Sequence, residues 1–376
     1  MYHRLTQDRI ESYLFKGQII IIYGARQVGK TTLVNNILNK FSNKKALILN
    51  GDDLDLQGRL IPKNYKYLQE LIGNPDILVV DEAQKFKQIG LVLKILHDNN
   101  PTLQIIATGS SSFELSNKLS EPLTGRSLVF NLQPLSILET SQNKLEIDRN
   151  VAKQMIYGSY PNIYDLGNDD KIRYLENIKN QYLYQDILNI GIIKKPQVIQ
   201  KLLQLVAYQI GNEVSLSELS KSLEIDKKTV ENYLDILEKT FVIFSLSSFS
   251  KNLRSEVAKS NKIYFWDLGI RNSLISNFNE LSIRPDLGGM WENFCIVERL
   301  KAQSFTGKFA NPYFWRNYNQ QEIDYIEEID GTLKTFEFKY NSNKKAKIPS
   351  SFATNYPNHT FEVVNKDNFS NFILPG

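Results

Sequence analysis

Cysteine is nearly absent from this 376-residue sequence, in which Cys295 stands alone. One thiol closes no internal disulfide, so a reducing compartment is expected. Within Trp291-Glu292-Asn293-Phe294-Cys295-Ile296 it reads as a small buried apolar residue rather than a nucleophile. Histidine is almost as scarce, limited to His3, His97 and His359. With no Cys/His cluster, a structural zinc site is excluded. Long apolar runs are missing too. Uninterrupted stretches such as Ile19 to Tyr23 fall far short of the ~18 residues that span a bilayer. The first residues, MYHRLTQDRIESYLFKG, read as an amphipathic helix with Leu5, Ile10, Leu14 and Phe15 apolar, not as a signal peptide. A cytoplasmic protein without a membrane partner is the expectation. Excess charge is lacking as well: 45 basic against 41 acidic residues leave +4, too little to argue for nucleic acid from global charge.

What is present is an ordinary globular composition, 42% hydrophobic and 23% charged, at a length suited to two or three domains. Residues 18–23 (QIIIIY) form a β-branched run ending at Gly24, which reads as a strand buried on both faces. Helical spacing follows through Leu33, Ile37, Leu38 and Phe41. The runs 47–50, 76–80, 103–108 and 127–132 repeat the theme, with helical segments among them. The fold class is therefore α/β with a parallel sheet. From about residue 150 the strands stop and 151–210 read as helices. Residues 213–239 hold two helical patterns joined at Leu223–Asp226. An extended FVIFSLSSF, a polar stretch and a strand-like IYFWDLG come next. Two helices and then a hairpin make a winged helix-turn-helix pattern. A last unit starts near 285, with a helix over 288–303 and strands near 312–316, 321–329 and 332–340.

Gly24-Ala25-Arg26-Gln27-Val28-Gly29-Lys30-Thr31 matches GxxxxGK[ST] in full and continues into Thr32. It lies between a predicted strand and a predicted helix, the context that gives the motif its meaning. Backbone N–H groups of such a loop curl around phosphate oxygens, the lysine reaches the β- and γ-phosphates, and the Thr31 hydroxyl ligates Mg²⁺. The strand Asp76–Val80 ends in Asp81-Glu82. Asp81 is the expected Mg²⁺-holding acid and Glu82 the group that polarises the attacking water. Thr108, at the tip of the 103–108 strand, reads either as a polar group that senses the γ-phosphate or orients water, or as part of a Ser-rich turn with Gly109, Ser110 and Ser111. Arg126 reads either as an arginine finger, in cis or in trans, or as a surface arginine. Arg26 is a packing or phosphate contact.

The segments GARQVGKTTL, LVVDEAQ, ATGSSSFEL, LTGR and QPLSILE, with the later YGSYP, KIYFWDLGI, MWENFCIVERL and WRNYNQQEIDYI, resemble a large family of prokaryotic AAA-type ATPases. The likeness covers nearly the whole chain, with Ser159 standing where relatives tend to carry a second glycine. It implies an ASCE-type core with ATP as the nucleotide. It also implies a C-terminal winged helix and a restriction-endonuclease-like domain. The expected division is a P-loop core over 1–150, a helical connector over 151–200, a winged helix over 201–284 and a nuclease-like domain over 285–376.

A second candidate site lies in that last segment. Glu292 is on the predicted helix, Asp324 on a strand, and Glu337 and Lys339 on the next strand, two apart and so on one face. Helix Glu, Asp, Glu-x-Lys is the order of PD-(D/E)XK nucleases, in which Glu292, Asp324 and Glu337 would hold a divalent metal beside Lys339. The segment 226–239 sets Lys227, Lys228 and Lys239 against Asp226, Glu231, Asp235 and Glu238, a poor match to phosphates. The wing 251–262 is basic instead, with Lys251, Arg254, Lys259 and Lys262 against Glu256. The partners expected are DNA or RNA on that wing, a protein on the same modules, or a second copy of the chain.

Overall fold

The computed structural model describes residues 2–110, 122–183, 196–250 and 261–374. They divide into two compact units, residues 1–133 with 239–241, and the remainder.

In the first unit the elements run α1 (Leu5–Glu11), β1 (Ile19–Tyr23), α2 (Lys30–Lys40), β2 (Ala46–Asn50), α3 (Leu54–Arg59) and α4 (Tyr65–Ile72). Then come β3 (Ile77–Asp81), α5 (Ile89–Asn99), β4 (Gln104–Gly109) and β5 (Ser127–Asn131). The strands form one parallel sheet in the order β2-β3-β4-β1-β5. The β-branched runs read from sequence are its central strands, and β1 is buried along its whole length. Burial on both faces is what a parallel sheet covered by helices requires. Strand β4 lies between β1 and β3, so the lysine loop and the acid-tipped strand are separated by one strand.

In the second unit the order is α6 (Ile137–Thr140), α7 (Lys144–Tyr157), α8 (Asn168–Asn177), α9 (Pro196–Tyr208), β6 (Glu213–Val214), α10 (Leu216–Leu223) and α11 (Lys227–Lys239). It continues with β7 (Ile243–Ser248), β8 (Asn261–Phe265), α12 (Leu268–Leu274), α13 (Leu287–Thr306), β9 (Asn311–Arg316) and β10 (Glu322–Ile329). It ends with β11 (Thr332–Phe338), α14 (Ser350–Asn355), β12 (His359–Val364) and α15 (Phe369–Ile373). Seven strands form one mixed sheet, β12-β11-β10-β9-β7-β8-β6. The join is a short parallel pairing of β7 with β9, Ser247 beside Tyr313 and Ser248 beside Phe314.

That join departs from the four-segment expectation. The α10–α11 pair and its hairpin share a sheet with the C-terminal strands, so residues 201–284 and 285–376 are not separate bodies. The boundary near 150 also moves, because the first unit ends at Gln133. The physical reason lies on α13, whose Glu298 and Lys301 are both about 2% exposed and pair at 2.9 Å. Glu298 accepts from the Ser136 hydroxyl at 2.6 Å and the Ile137 amide at 2.8 Å, while Lys301 donates to the Leu135 carbonyl. These bonds fix the chain just after Pro134 to α13. Around them Trp291 stacks on Phe294, and Phe369 packs tilted against both in the aromatic core. Among the described residues, no helix is long and apolar enough to cross a membrane.

A buried ammonium deprived of its carboxylate is costly. Glu298→Gln should lower the unfolding free energy by about 3 kcal/mol, read by chemical denaturation. A loss below about 1 kcal/mol would show that the pair does not anchor this unit.

Candidate functional site

In the first unit the loop between β1 and α2 is shaped by backbone demands. Gly29 takes φ +97° and Gln27 φ +64°. A Cβ at Gly24 would stand 2.3 Å from the Leu132 carbonyl oxygen, so no side chain fits there. Lys30 opens α2, and its buried Nζ donates to the carbonyls of Gly24 at 2.8 Å and Ala25 at 3.0 Å, bending it back over the loop. Val28 is fully buried beneath the loop. Arg4, just before α1, donates to the Val28 carbonyl at 2.8 Å and to the Gln133 carbonyl at 2.6 Å. It ties the loop to the exit of β5. Nothing in the sequence marks Arg4 for this role, since a lone arginine in an N-terminal helix carries no motif.

Sheet register brings the acids to the same edge. Ile22 lies beside Thr108, and Val80 beside Ala107, so Thr108 falls between the tips of β1 and β3. Thr31 Oγ1 donates to Asp81 Oδ2 at 3.1 Å, and Thr108 Oγ1 donates to Asp81 Oδ1. The Glu82 amide donates to Thr108 Oγ1 at 3.2 Å, and Glu82 itself has φ +49°. Thr108 is fully buried, and its hydroxyl bridges the Asp81 carboxylate and the Glu82 backbone amide. Gln84 Nε2 bridges Glu82 and Ser110 Oγ at 3.0 Å, a partner the sequence did not single out.

Arg126 is not brought to this edge. The Ile19 amide donates to its carbonyl, which puts it at the start of β1, roughly 13 Å along the strand from Tyr23. Its guanidinium forms two bonds to Asp98, at 2.7 and 3.2 Å, which lower the Asp98 carboxyl below its usual range. A finger acting in cis is thus corrected to an ion pair at the opposite edge of the sheet. Lys30, Thr31 and Asp81 fit a nucleotide with its Mg²⁺: an ammonium, a hydroxyl and a carboxylate converge beside a glycine-shaped loop.

In the second unit the strand order brings the other candidates together. The register Tyr325 to Phe336 runs on to set Asp324 opposite Glu337. A β-bulge between Ile323 and Ile326 turns β10 at that point. Asp324 Oδ2 accepts from the Phe338 amide at 2.8 Å, and Lys339 pairs with Glu337 at 2.7 Å. Carboxylate oxygens of Glu292, Glu322 and Asp324 lie within 4.8 Å of one another. Glu322 was not singled out from sequence, although it precedes Asp324 by two on the same strand face.

The decisive neighbour is Lys262 on β8, 1% exposed. Its Nζ donates to Glu292 Oε1 at 2.8 Å and pairs with Glu322. Tyr264 donates to the same Glu292 oxygen. Burial alone would lower the ammonium, but Glu292, Asp324 and Glu322 together hold it above its ordinary value. Lys262 therefore does not belong to the basic wing as expected, because it is buried among acids. The other charges of that wing, residues 251–260, lie outside the described residues, as does Ser111. With an ammonium already among its oxygens, the cluster does not fit a divalent metal.

Residues 16–141 match the family model of an AAA domain. Residues 148–281 and 287–372 match two families described as domains of unknown function, DUF8612 and DUF4143. The uncharacterized protein Rv2008c of Mycobacterium tuberculosis is 26% identical over 340 residues, covering 89% of this chain and 73% of that protein. The uncharacterized protein MJ1637 of Methanocaldococcus jannaschii is 27% identical over 313 residues, covering 72% and 65%. Among solved structures, the Walker-type ATPase PABY2304 of Pyrococcus abyssi aligns over 73% of this chain and 96% of its own, at 16% identity and a TM-score of 0.51. At that identity the likeness is one of fold. The N-terminal unit thus carries an AAA-domain match on an α/β parallel sheet, a fold it shares with that ATPase.

Burial raises the Glu292 carboxyl from 4.5 to about 7, against the pull of Lys262, and burial raises Asp324 and Glu337 as well. The folded state then keeps protons that the unfolded chain has released. Stability should fall as pH climbs from about 4.5 to about 7, and Glu292→Gln should flatten that slope. An unchanged slope in denaturation curves across the window would remove Glu292 from the titration.

Proposed function

We propose that this chain binds ATP with Mg²⁺ and hydrolyses it, and that turnover drives rearrangement of the C-terminal modules. The observation that carries the reading is the meeting of Thr31 and Asp81 at 3.1 Å beside Lys30 on a glycine-shaped loop. Bound Mg²⁺ would neutralise charge on the β- and γ-phosphates. Lys30 would leave the carbonyls of Gly24 and Ala25 for phosphate oxygens. Thr31 and Asp81 would hold the cation between them, and Thr108 would keep Asp81 turned toward it. Glu82 would take the proton of the attacking water, its carboxylate steadied by Gln84.

The winged-helix reading of residues 201–284 draws support from the order helix, short strand, two helices and hairpin, with β6 and β7 both antiparallel to β8. The PD-(D/E)XK-like reading of the C-terminal part draws support from Glu292 and Asp324 sharing one cluster beside Glu337 and Lys339. Cleavage of a phosphodiester is not part of the proposal, because a fold does not carry its chemistry with it. Nucleic acid is the proposed partner of the wing, through Lys251, Arg254 and Lys259. The rival occupant is a protein, favoured by the net negative charge of residues 226–239. A DNA titration at two salt concentrations separates them, because phosphate binding weakens steeply as salt rises.

Two variants test the nucleotide chemistry. Lys30→Ala should abolish most ATP binding in calorimetry while leaving the unfolding midpoint without nucleotide near that of the parent. Equal affinity in both would remove the site assignment. Glu82→Gln should bind ATP as the parent does and turn over roughly 100-fold more slowly, since the amide is a poor base. Parental turnover in that variant would leave a binding-only switch.

A further inference from the structure

We infer that Lys262 is a built-in cation that takes the place of a divalent metal in the carboxylate cluster of the second unit, so that this site binds no Mg²⁺ or Mn²⁺. The inference is independent of the nucleotide chemistry. The cluster has the oxygen donors a metal would use: Glu292 from α13, with Glu322 and Asp324 from β10. Hard divalent cations choose such oxygen sets. Here the ammonium already sits among them, at 2.8 Å from Glu292 and in direct contact with Glu322.

Three features keep it there. Lys262 is paired on both sides of its strand, with Leu246 of β7 and Glu213 of β6, so its backbone has no room to shift. Its Nζ lies 5.5 Å from the centre of the Phe314 ring, which favours a cation at that point. The turn before β6 closes the third side. A Cβ on Gly211 would stand 3.3 Å from Glu292 Oε2 and 2.9 Å from the Gly289 Cα, so this turn packs against Glu292 closely enough to admit only glycine. The surrounding charges are also already matched. Lys339 takes Glu337 at 2.7 Å, and Arg316 lies 3.7 Å from the second oxygen of Glu322. A dication added to this set would meet the ammonium at close range and face repulsion rather than an open ligand shell.

A lysine on a fixed strand is present at every metal concentration. It cancels carboxylate repulsion as a metal would, but it has no open coordination position with which to polarise water. The cluster thus ties α13, β8 and β10 together without a metal centre's chemistry.

The test is Mn²⁺ binding by the full chain without nucleotide, followed by the electron paramagnetic resonance signal of the free ion. The parent should leave the ion free up to ~1 mM, whereas Lys262→Met, which keeps the stem and removes the charge, should bind one Mn²⁺ at least about tenfold more tightly. Adding Asp324→Asn to that variant should abolish the gain. Binding by the parent that Asp324→Asn removes would overturn the inference, and so would a folded Lys262→Met variant that binds no better than the parent. If Lys262→Met does not fold, the parent and Asp324→Asn decide alone: no Asp324-dependent binding upholds the inference, and such binding ends it.

Discussion

Two carboxylates buried on one helix govern how the second unit is assembled. Glu292 and Glu298 both lie on α13 with little or no access to water, and a buried charge is tolerated only where opposite charge and hydrogen bonds meet it. Glu298 gathers Lys301, the Ser136 hydroxyl and the Ile137 amide, which fastens the segment entering this unit. Glu292 gathers Lys262 and Tyr264, which fastens the hairpin strand β8. Between them Asn293 donates to the Phe265 carbonyl and accepts from the Phe265 amide, both at 2.8 Å. A single helix thereby collects segments that are far apart in sequence, and what reads as three modules along the chain packs as one body.

The first unit obeys a different constraint, set by backbone geometry. Its loop exists because Gly24 can lie against the Leu132 carbonyl and Gly29 can take a left-handed conformation. The acids reach the loop because β4 spaces β3 from β1 by one strand and supplies Thr108 in the gap. Every group assigned to phosphate or metal therefore sits at the carboxyl edge of a parallel sheet, where such sheets hold ligands. Arg126 belongs to the other edge, where its salt bridge with Asp98 joins the end of α5 to the start of β5.

This contrast explains how much was legible from sequence. The phosphate loop, the acid pair and all five strands of the first sheet were readable, because each is a contiguous pattern: a glycine spacing, or a β-branched run with a polar end. The helix and strands bearing Glu292, Asp324 and Glu337, with Lys339 one residue past the last strand, were readable for the same reason, with bounds that fell within a few residues. The pairing of β7 with β9 was not, since two short stretches some sixty residues apart carry no mark of each other. Lys262 was misread for a related reason. In sequence it closes a run of basic residues, and only the register that sets it between β6 and β7 shows that it points into the acids. Glu322 was passed over because alternating acids on a strand are common, and its spacing of two from Asp324 gives no sign that Glu292 and Lys262 meet the pair.

The exchange of a metal for a lysine changes what the same acids do. A dication draws its ligands together only when bound, so a metal site can be emptied, refilled and used to polarise a reacting group. An ammonium on a strand closed on both sides is bound permanently, at the entropy cost of one side chain already fixed by folding. It offers the acids a counter-charge but gives a phosphoryl oxygen no Lewis acid. The carboxylates that would serve a nuclease are thus turned to architecture, binding a helix, a hairpin strand and a bulged strand at one point. Under the proposed function, chemistry is then left to the first unit, where the Thr31 hydroxyl donates directly to Asp81 beside Lys30.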